Sequence, residues 1–307
     1  MRRRTRHASL GTMARWSLSG YGRGPQWVRT GLILCAACAL CASAQTPDRL
    51  AERSAIEGYL KSFSTRNNER ETLIRKWFAE SGCKDSNLSE QSLEGKLPPN
   101  VICVLPGQTR EVILVGAHTD KVDDFGDGVV DNWTGASLLP ALLFSLDAQP
   151  RHHTFVFVGF SAEEKGLVGS AYYADHLTPG QRASMVAMVN LDSLGLGPTE
   201  VWATHADPAL LNGLAAAGAA SKFPVSEMDV DGLGTADSES FARYHIPRIT
   251  LHSVTRETWP ILHSSRDQLA AVKMQDYYDS YRLIARYLTY LDDVLGKPES
   301  KPAKTAK

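Results

Sequence analysis

Three apolar runs in this chain end abruptly on acids or histidine, and no other feature constrains its fold as much. Thr154–Phe160 (TFVFVGF) breaks off just before Glu163 and Glu164. Residues 111–117 (EVILVGA) deliver His118, Thr119 and Asp120, and residues 186–191 (VAMVNL) end at Asp192. Short apolar runs bounded by turn residues read as buried strands. Further strands are predicted from Val101, over 200–203 and over 247–251. Helices are predicted at 136–146, about 169–176, Pro208–Ser221 and 274–295, with two more within 47–81, where Leu50, Ile56, Leu60 and Phe63 suit one face and Leu73, Ile74, Trp77 and Phe78 another. Residues 85–100 read as a polar connection. Strands alternating with helices predict an α/β fold, a central sheet covered by helices on both faces. Ligands of such sheets sit at the carboxyl ends of strands. His118, Glu163, Glu164 and Asp192 therefore converge if their three strands are neighbours.

The first 44 of the 307 residues do not fit that domain. They carry seven arginines and no acid, then an apolar stretch, GLILCAACALCAS, then the small-x-small pattern Ala42-Ser43-Ala44. This reads as a signal peptide, too short for a membrane span; an uncleaved anchor is the alternative. The whole chain carries a net −1, so without this leader the remainder stands at −8. An acidic body with no basic stripe argues against nucleic-acid binding. The predicted domain runs over 45–295, and the Lys/Pro-rich residues 296–307 read as a disordered tail. Export places the mature chain in the periplasm or outside the cell, with no membrane attachment. Three cysteines leave with the leader. Cys83 and Cys103 remain, an even count in an oxidising compartment, and are predicted to pair; two separate buried thiols are the alternative. The sequence carries no signal of oligomeric state.

Each candidate site residue has an ordinary reading beside a chemical one. A Glu-Glu pair is usually a solvated loop, but adjacent residues leaving a strand point in opposed directions, so Glu164 can hold a metal while Glu163 reaches a water on it. Asp120, two residues beyond His118, lies on the same face if the chain stays extended, where a carboxylate can hold the far nitrogen of a metal-bound imidazole. Asp131, in a Gly-rich loop, is ordinary turn chemistry or a carboxylate bridging two cations. Asp192 can be a cap. His263, in HSSRD, competes with His252.

Taken in order, the motifs GAHTD, DNWTGAS, SAEEKGLVGS, NLDSLG and LHSSRD resemble the co-catalytic di-zinc aminopeptidases, the clan that also holds glutamate carboxypeptidases and glutaminyl cyclases. The resemblance spans roughly residues 112–270. It implies that His118 and Asp192 hold one zinc and Glu164 and His263 the other, that Asp131 bridges them, and that Glu163 is the general base with Asp120 behind His118. It also implies a cis peptide bond after Asp131. Three carboxylates and one hydroxide balance two divalent cations, which supports the set independently. Relatives of another branch insert a lid domain before the last histidine. Here only 70 residues separate Asp192 from His263, which points to a single-domain form; the resemblance implies a mixed, mostly parallel sheet. Some relatives place a Tyr before that histidine, where this chain has Leu262. The segment 237–241 resembles a family loop near the substrate pocket, although its acids read as solvated.

The resemblance implies a secreted metallo-aminopeptidase with two zinc ions per chain, acting on small peptides. A one-zinc glutaminyl cyclase, a carboxypeptidase and a non-catalytic binding ectodomain are the alternatives; retention of every ligand favours hydrolysis. The chain has no G-x-S-x-G elbow, Walker A or dinucleotide fingerprint.

Overall fold

The computed structural model describes residues 47, 49–123, 125–223, 225–229, 232 and 234–295. The predicted leader and tail lie outside them. The described chain runs α1 (Arg53–Lys61), α2 (Asn67–Glu80), β1 (Leu88–Gln91), β2 (Asn100–Leu105), β3 (Val112–His118), α3 (Thr134–Asp147), β4 (Thr154–Phe160), α4 (Val168–His176), α5 (Pro179–Ser184), β5 (Met185–Leu191), β6 (Glu200–Val201), α6 (Pro208–Ser221), β7 (Ser226–Glu227), α7 (Glu239–Ala242), β8 (Arg248–His252) and α8 (Met274–Val294).

The eight strands form one mixed sheet in the order β1-β2-β4-β3-β5-β8-β6-β7. Its centre, β4-β3-β5-β8, is parallel, and β1, β2 and β6 pair antiparallel at the flanks. The three runs that end on polar residues are therefore adjacent, with β3 in the middle. His118 is level with Phe160 of β4, and Gly116 with Asn190 of β5, so the polar ends emerge side by side.

Alternation along the strands splits the core in two. Ile113, Val115 and Ala117 of β3 and Phe155 and Phe157 of β4 face the larger layer, where α1, α2, α3, α6 and α8 bury Leu60, Ile74, Phe78, Leu139, Leu214 and Leu288. Leu114, Val156, Val158 and Phe160 face the thinner layer, against Tyr173 and Ala174 of α4 and Phe241 of α7. Residues 129–147 are the one stretch among the described residues apolar and long enough to cross a membrane, and 94% of its most apolar 18-residue window is buried. That burial accounts for the apolar composition of α3 all round, which lies inside the larger layer.

Four short elements, β1, α5, β7 and α7, are not among those predicted. The edge strand β1 lies within the polar segment, with Ser89 and Glu90 exposed. Helix α5 begins with a reciprocal cap between Thr178 and Gln181, followed by Pro179 at its first turn. Cys83, just after α2, and Cys103, in β2, form the expected disulfide with Cα atoms 6.1 Å apart.

Candidate metal centre

The site is built where β3, β4 and β5 end. After β4 the chain turns through left-handed Ala162 (φ 57°) into a single tight helical turn at Glu163–Lys165, and leaves through left-handed Gly166. Ser193, after β5, and His263 also adopt positive φ, at 52° and 50°. Such non-glycine backbone is uncommon and persists where surrounding structure holds it, often at functional sites.

The Glu-Glu turn is held from two sides. The Asp120 carboxylate accepts the main-chain N–H of Glu163 (3.0 Å) and of Glu164 (3.2 Å). Buried Asn100, in β2, accepts the Ser161 N–H and donates to the Gly169 carbonyl, both at 2.9 Å. A Cβ at Gly169 would lie 2.2 Å from the Ser161 oxygen, so only glycine lets α4 start so close to the turn.

The Asp131 loop is held as tightly. Its peptide bond to Asn132 is cis. Asp267 accepts the N–H groups of Val130 (2.6 Å) and Asp131 (3.2 Å), which ties this loop to the segment carrying His263. The Asn132 side chain donates to the Leu191 carbonyl (2.8 Å) and accepts from Ser193 N–H (3.1 Å), fixing Asp131 against the end of β5. Arg70, fully buried on α2, donates to the carbonyls of Thr119, Asp127 and Gly128 and so links the His118 and Asp131 loops. Burial pulls its guanidinium down to about 10, partly offset by Asp267, Asp120 and Asp131. These roles of Arg70, Asn100 and Asp267 were not legible in the sequence, because their partners are main-chain groups distant along the chain.

These supports bring all five metal-ligand candidates together. His118 Nε2 lies 3.2 Å from Asp131 Oδ1 and 3.7 Å from Asp192 Oδ1. His263 Nε2 lies 3.0 Å from both Asp131 Oδ2 and Glu164 Oε2. Two of the donor groups, His118–Asp131–Asp192 and Asp131–Glu164–His263, share Asp131, and a third, His118–Glu163–Glu164, joins Glu163 to the same cluster. His252 is engaged elsewhere: its Nδ1 accepts from Val254 N–H (3.1 Å) and its Nε2 donates to the Met228 carbonyl (3.2 Å). The Asp120 carboxylate stands behind His118, within ion-pair range of its Nδ1, and also serves the Glu-Glu turn. The His118 Nδ1 is 3.2 Å from the Asp120 main-chain carbonyl and 3.7 Å from its carboxylate, which is turned to the Glu-Glu backbone. Asp237, read as a solvated acid, is fully buried, and neither of its oxygens has a hydrogen-bond partner among the described residues. Burial pushes it up to about 7.

The electrostatics call for positive charge at the centre of the cluster. Burial pushes the His118 imidazole down, and Glu163, Asp120, Asp131 and Asp192 more than reverse this, leaving it well above the usual histidine range. Hydrogen bonds to Asp131 and Glu164 raise His263 to about 10. Burial raises Asp131, but the two histidines outweigh it and hold that carboxylate far below its ordinary range. Glu163 is pushed up to about 10, mainly by burial; His118 opposes the shift, and Asp237, Asp192 and Asp131 add to it. Glu164 Oε1 is buried without a partner. Imidazole and carboxylate donors, an excess of buried acid and an unpaired oxygen fit a borderline divalent cation such as zinc.

The cluster floors a cleft of about 300 Å³ whose walls include Trp202, His252, Val254, Trp259 and Leu262. The side chain of His263, 50% exposed, stands at its mouth, whereas His118 is 2% exposed.

Residues 100–288 match the model of Peptidase family M28. The chain is 32% identical to aminopeptidase YwaD of Bacillus subtilis (strain 168) over 111 residues, which are 36% of this chain and 23% of that relative. It thus matches about a quarter of that protein's length. Among solved structures, the LapA aminopeptidase of Legionella pneumophila superposes with a TM-score of 0.66 at 19% identity, covering 78% of this chain and 70% of that one. An Acidobacteriales bacterium glutaminyl cyclase superposes with a TM-score of 0.65 at 16% identity, covering 81% and 98%. With the family model covering more than half of its length, and a fold shared with these enzymes, this chain belongs to peptidase family M28.

Proposed function

We propose that this chain is an exported aminopeptidase of the two-zinc type, releasing N-terminal residues from small peptides with Glu163 as general base. The observation that carries the reading is the orientation of Asp131, one oxygen toward His118 and the other toward His263. That is the arrangement a carboxylate needs to serve two cations at once. His118 and Asp192 would complete one site, Glu164 and His263 the other. Bound zinc would supply Lewis acidity toward the scissile carbonyl and lower the pKa of a water.

Glu163 lines the same cleft; it is in neither of the two groups that share Asp131, and its carboxylate stands beside the His118 and Glu164 donors. It is free to take a proton from the attacking water and pass it to the leaving amine. Asp120, by accepting both turn N–H groups, fixes the backbone from which Glu163 and Glu164 reach the cleft. The excess of acids suits a cationic α-amine, and the walls of Trp202, Val254, Trp259 and Leu262 suit an apolar side chain beside it. Residues 1–44 fit a signal peptide, and the Cys83–Cys103 disulfide suits the oxidising compartment it leads to.

The test is a substrate panel on zinc-loaded protein: aminoacyl-anilides, N-blocked peptides, peptides ending in glutamate and peptides beginning with glutamine. Cleavage of anilides, abolished by N-blocking, is expected. Ammonia release from N-terminal glutamine with no peptide cleavage would replace this reading with a cyclase, and release of C-terminal glutamate with a carboxypeptidase.

A further inference from the structure

The opposite end of the sheet holds a second cluster of ligand-type side chains. It lies about 20 Å from the centre described above, the length of β3 at roughly 3.3 Å per residue. The segments entering β3 and β4 are tied by main-chain bonds: Gln108 N–H to the Arg151 carbonyl (3.0 Å), Thr109 to His152 (2.9 Å) and Thr154 to Glu111 (2.9 Å). This ladder sets the Glu111 side chain beside His152 and His153. One donor atom from each of the three lies within 4.8 Å of the other two.

His153 is fully buried, yet its Nε2 has no hydrogen-bond partner among the described residues; Glu111 Oε2 stands 3.6 Å away. Its other ring nitrogen is occupied. Nδ1 lies 3.0 Å from Asp292 Oδ1 on α8, and the same carboxylate accepts the N–H groups of His152 (2.9 Å) and His153 (2.7 Å). Burial raises the Asp292 carboxyl, but these hydrogen bonds outweigh it and hold it below the usual range. An ionised carboxylate on Nδ1 fixes the proton there and leaves the Nε2 lone pair directed at Glu111 and His152. A buried polar atom without a partner is costly, and a carboxylate behind the far nitrogen is how metal-ligating histidines are oriented.

We propose that Glu111, His152 and His153 form a second, non-catalytic site for a borderline divalent transition cation of the zinc and copper(II) class. Two imidazoles and one carboxylate suit such ions, and partial exposure of Glu111 and His152 leaves room for water to complete the coordination. Through Asp292 the ion would pin the starts of β3 and β4 to the end of α8, so its effect falls on stability.

Zn2+ is the probe. After zinc loading and desalting, native mass spectrometry should find one ion fewer per chain in the Glu111→Gln/His152→Ala double variant than in the parent, with peptidase activity retained. The part of the zinc-induced rise in Tm that exceeds the response of the catalytic centre should vanish in the same variant. Glu111→Gln alone, which keeps the side-chain shape, should show at least tenfold weaker retention of that ion and serves if the double variant folds poorly. Equal zinc content in parent and folded variants overturns the proposal. The readout is a difference between proteins sharing one catalytic centre, so it does not depend on how many ions that centre takes.

Discussion

At the scale of single residues, two adjacent glutamates with different surroundings carry the proposed chemistry. Glu164 meets His263, while Glu163 faces His118 and three further acids, and burial raises both. Glu163→Gln keeps the shape and removes the proposed base, so the rate should fall by about 10²–10⁴-fold with zinc content and KM little changed. Glu164→Gln should instead lose metal, as measured by metal analysis after dialysis. Away from the site, burial on α2 pushes the Glu71 carboxyl from its ordinary 4.5 up to about 7, and its Oε2 has no partner. The folded chain therefore holds a proton there that the unfolded chain gives up. This favours folding at pH below about 4.5 and is lost as pH rises through about 7. Glu71→Gln should gain more stability over wild type at pH 8 than at pH 5, by denaturant unfolding at each pH. The ligand-type residues were legible because each ends an apolar run or sits in a short motif. Arg70, Asn100 and Asp267 were not, since each serves main-chain groups brought near only by folding. Asp237 was misread for a related reason: a short acidic segment looks solvated until the tertiary structure closes over it.

At the scale of elements, the strand order made the site. His118, Glu163, Glu164 and Asp192 were visible as strand ends, but that β3 lies between β4 and β5 follows from pairing that periodicity does not encode. The strands that escaped notice, β1 and β7, are short and mostly exposed, so their residues lack the alternation that burial imposes. Helix α5 did carry a local sign, the Thr178–Gln181 cap with Pro179. The Cys83–Cys103 bond closes a 20-residue separation and fastens the end of α2, which carries Arg70, to β2, which carries Asn100. Chain-entropy arguments put such a loop at roughly 3 kcal/mol. Replacing both cysteines with serine should lower the unfolding free energy by about that amount, measured by denaturant titration of the non-reduced proteins.

At the scale of the whole molecule, one sheet carries acid and imidazole at both ends, and the two clusters differ in kind. The cluster at the carboxyl ends opens into a cleft and shares one carboxylate between two donor groups. The cluster at the other end is braced by α8. The central claim is that the cleft works with two cations, one on each side of Asp131. Anomalous diffraction at the zinc edge from zinc-loaded crystals tests this most directly, because it locates ions rather than counting them. The account predicts two peaks in the cleft, one between His118, Asp131 and Asp192 and one between Asp131, Glu164 and His263. A single peak there under saturating zinc, in crystals of active enzyme, would contradict it.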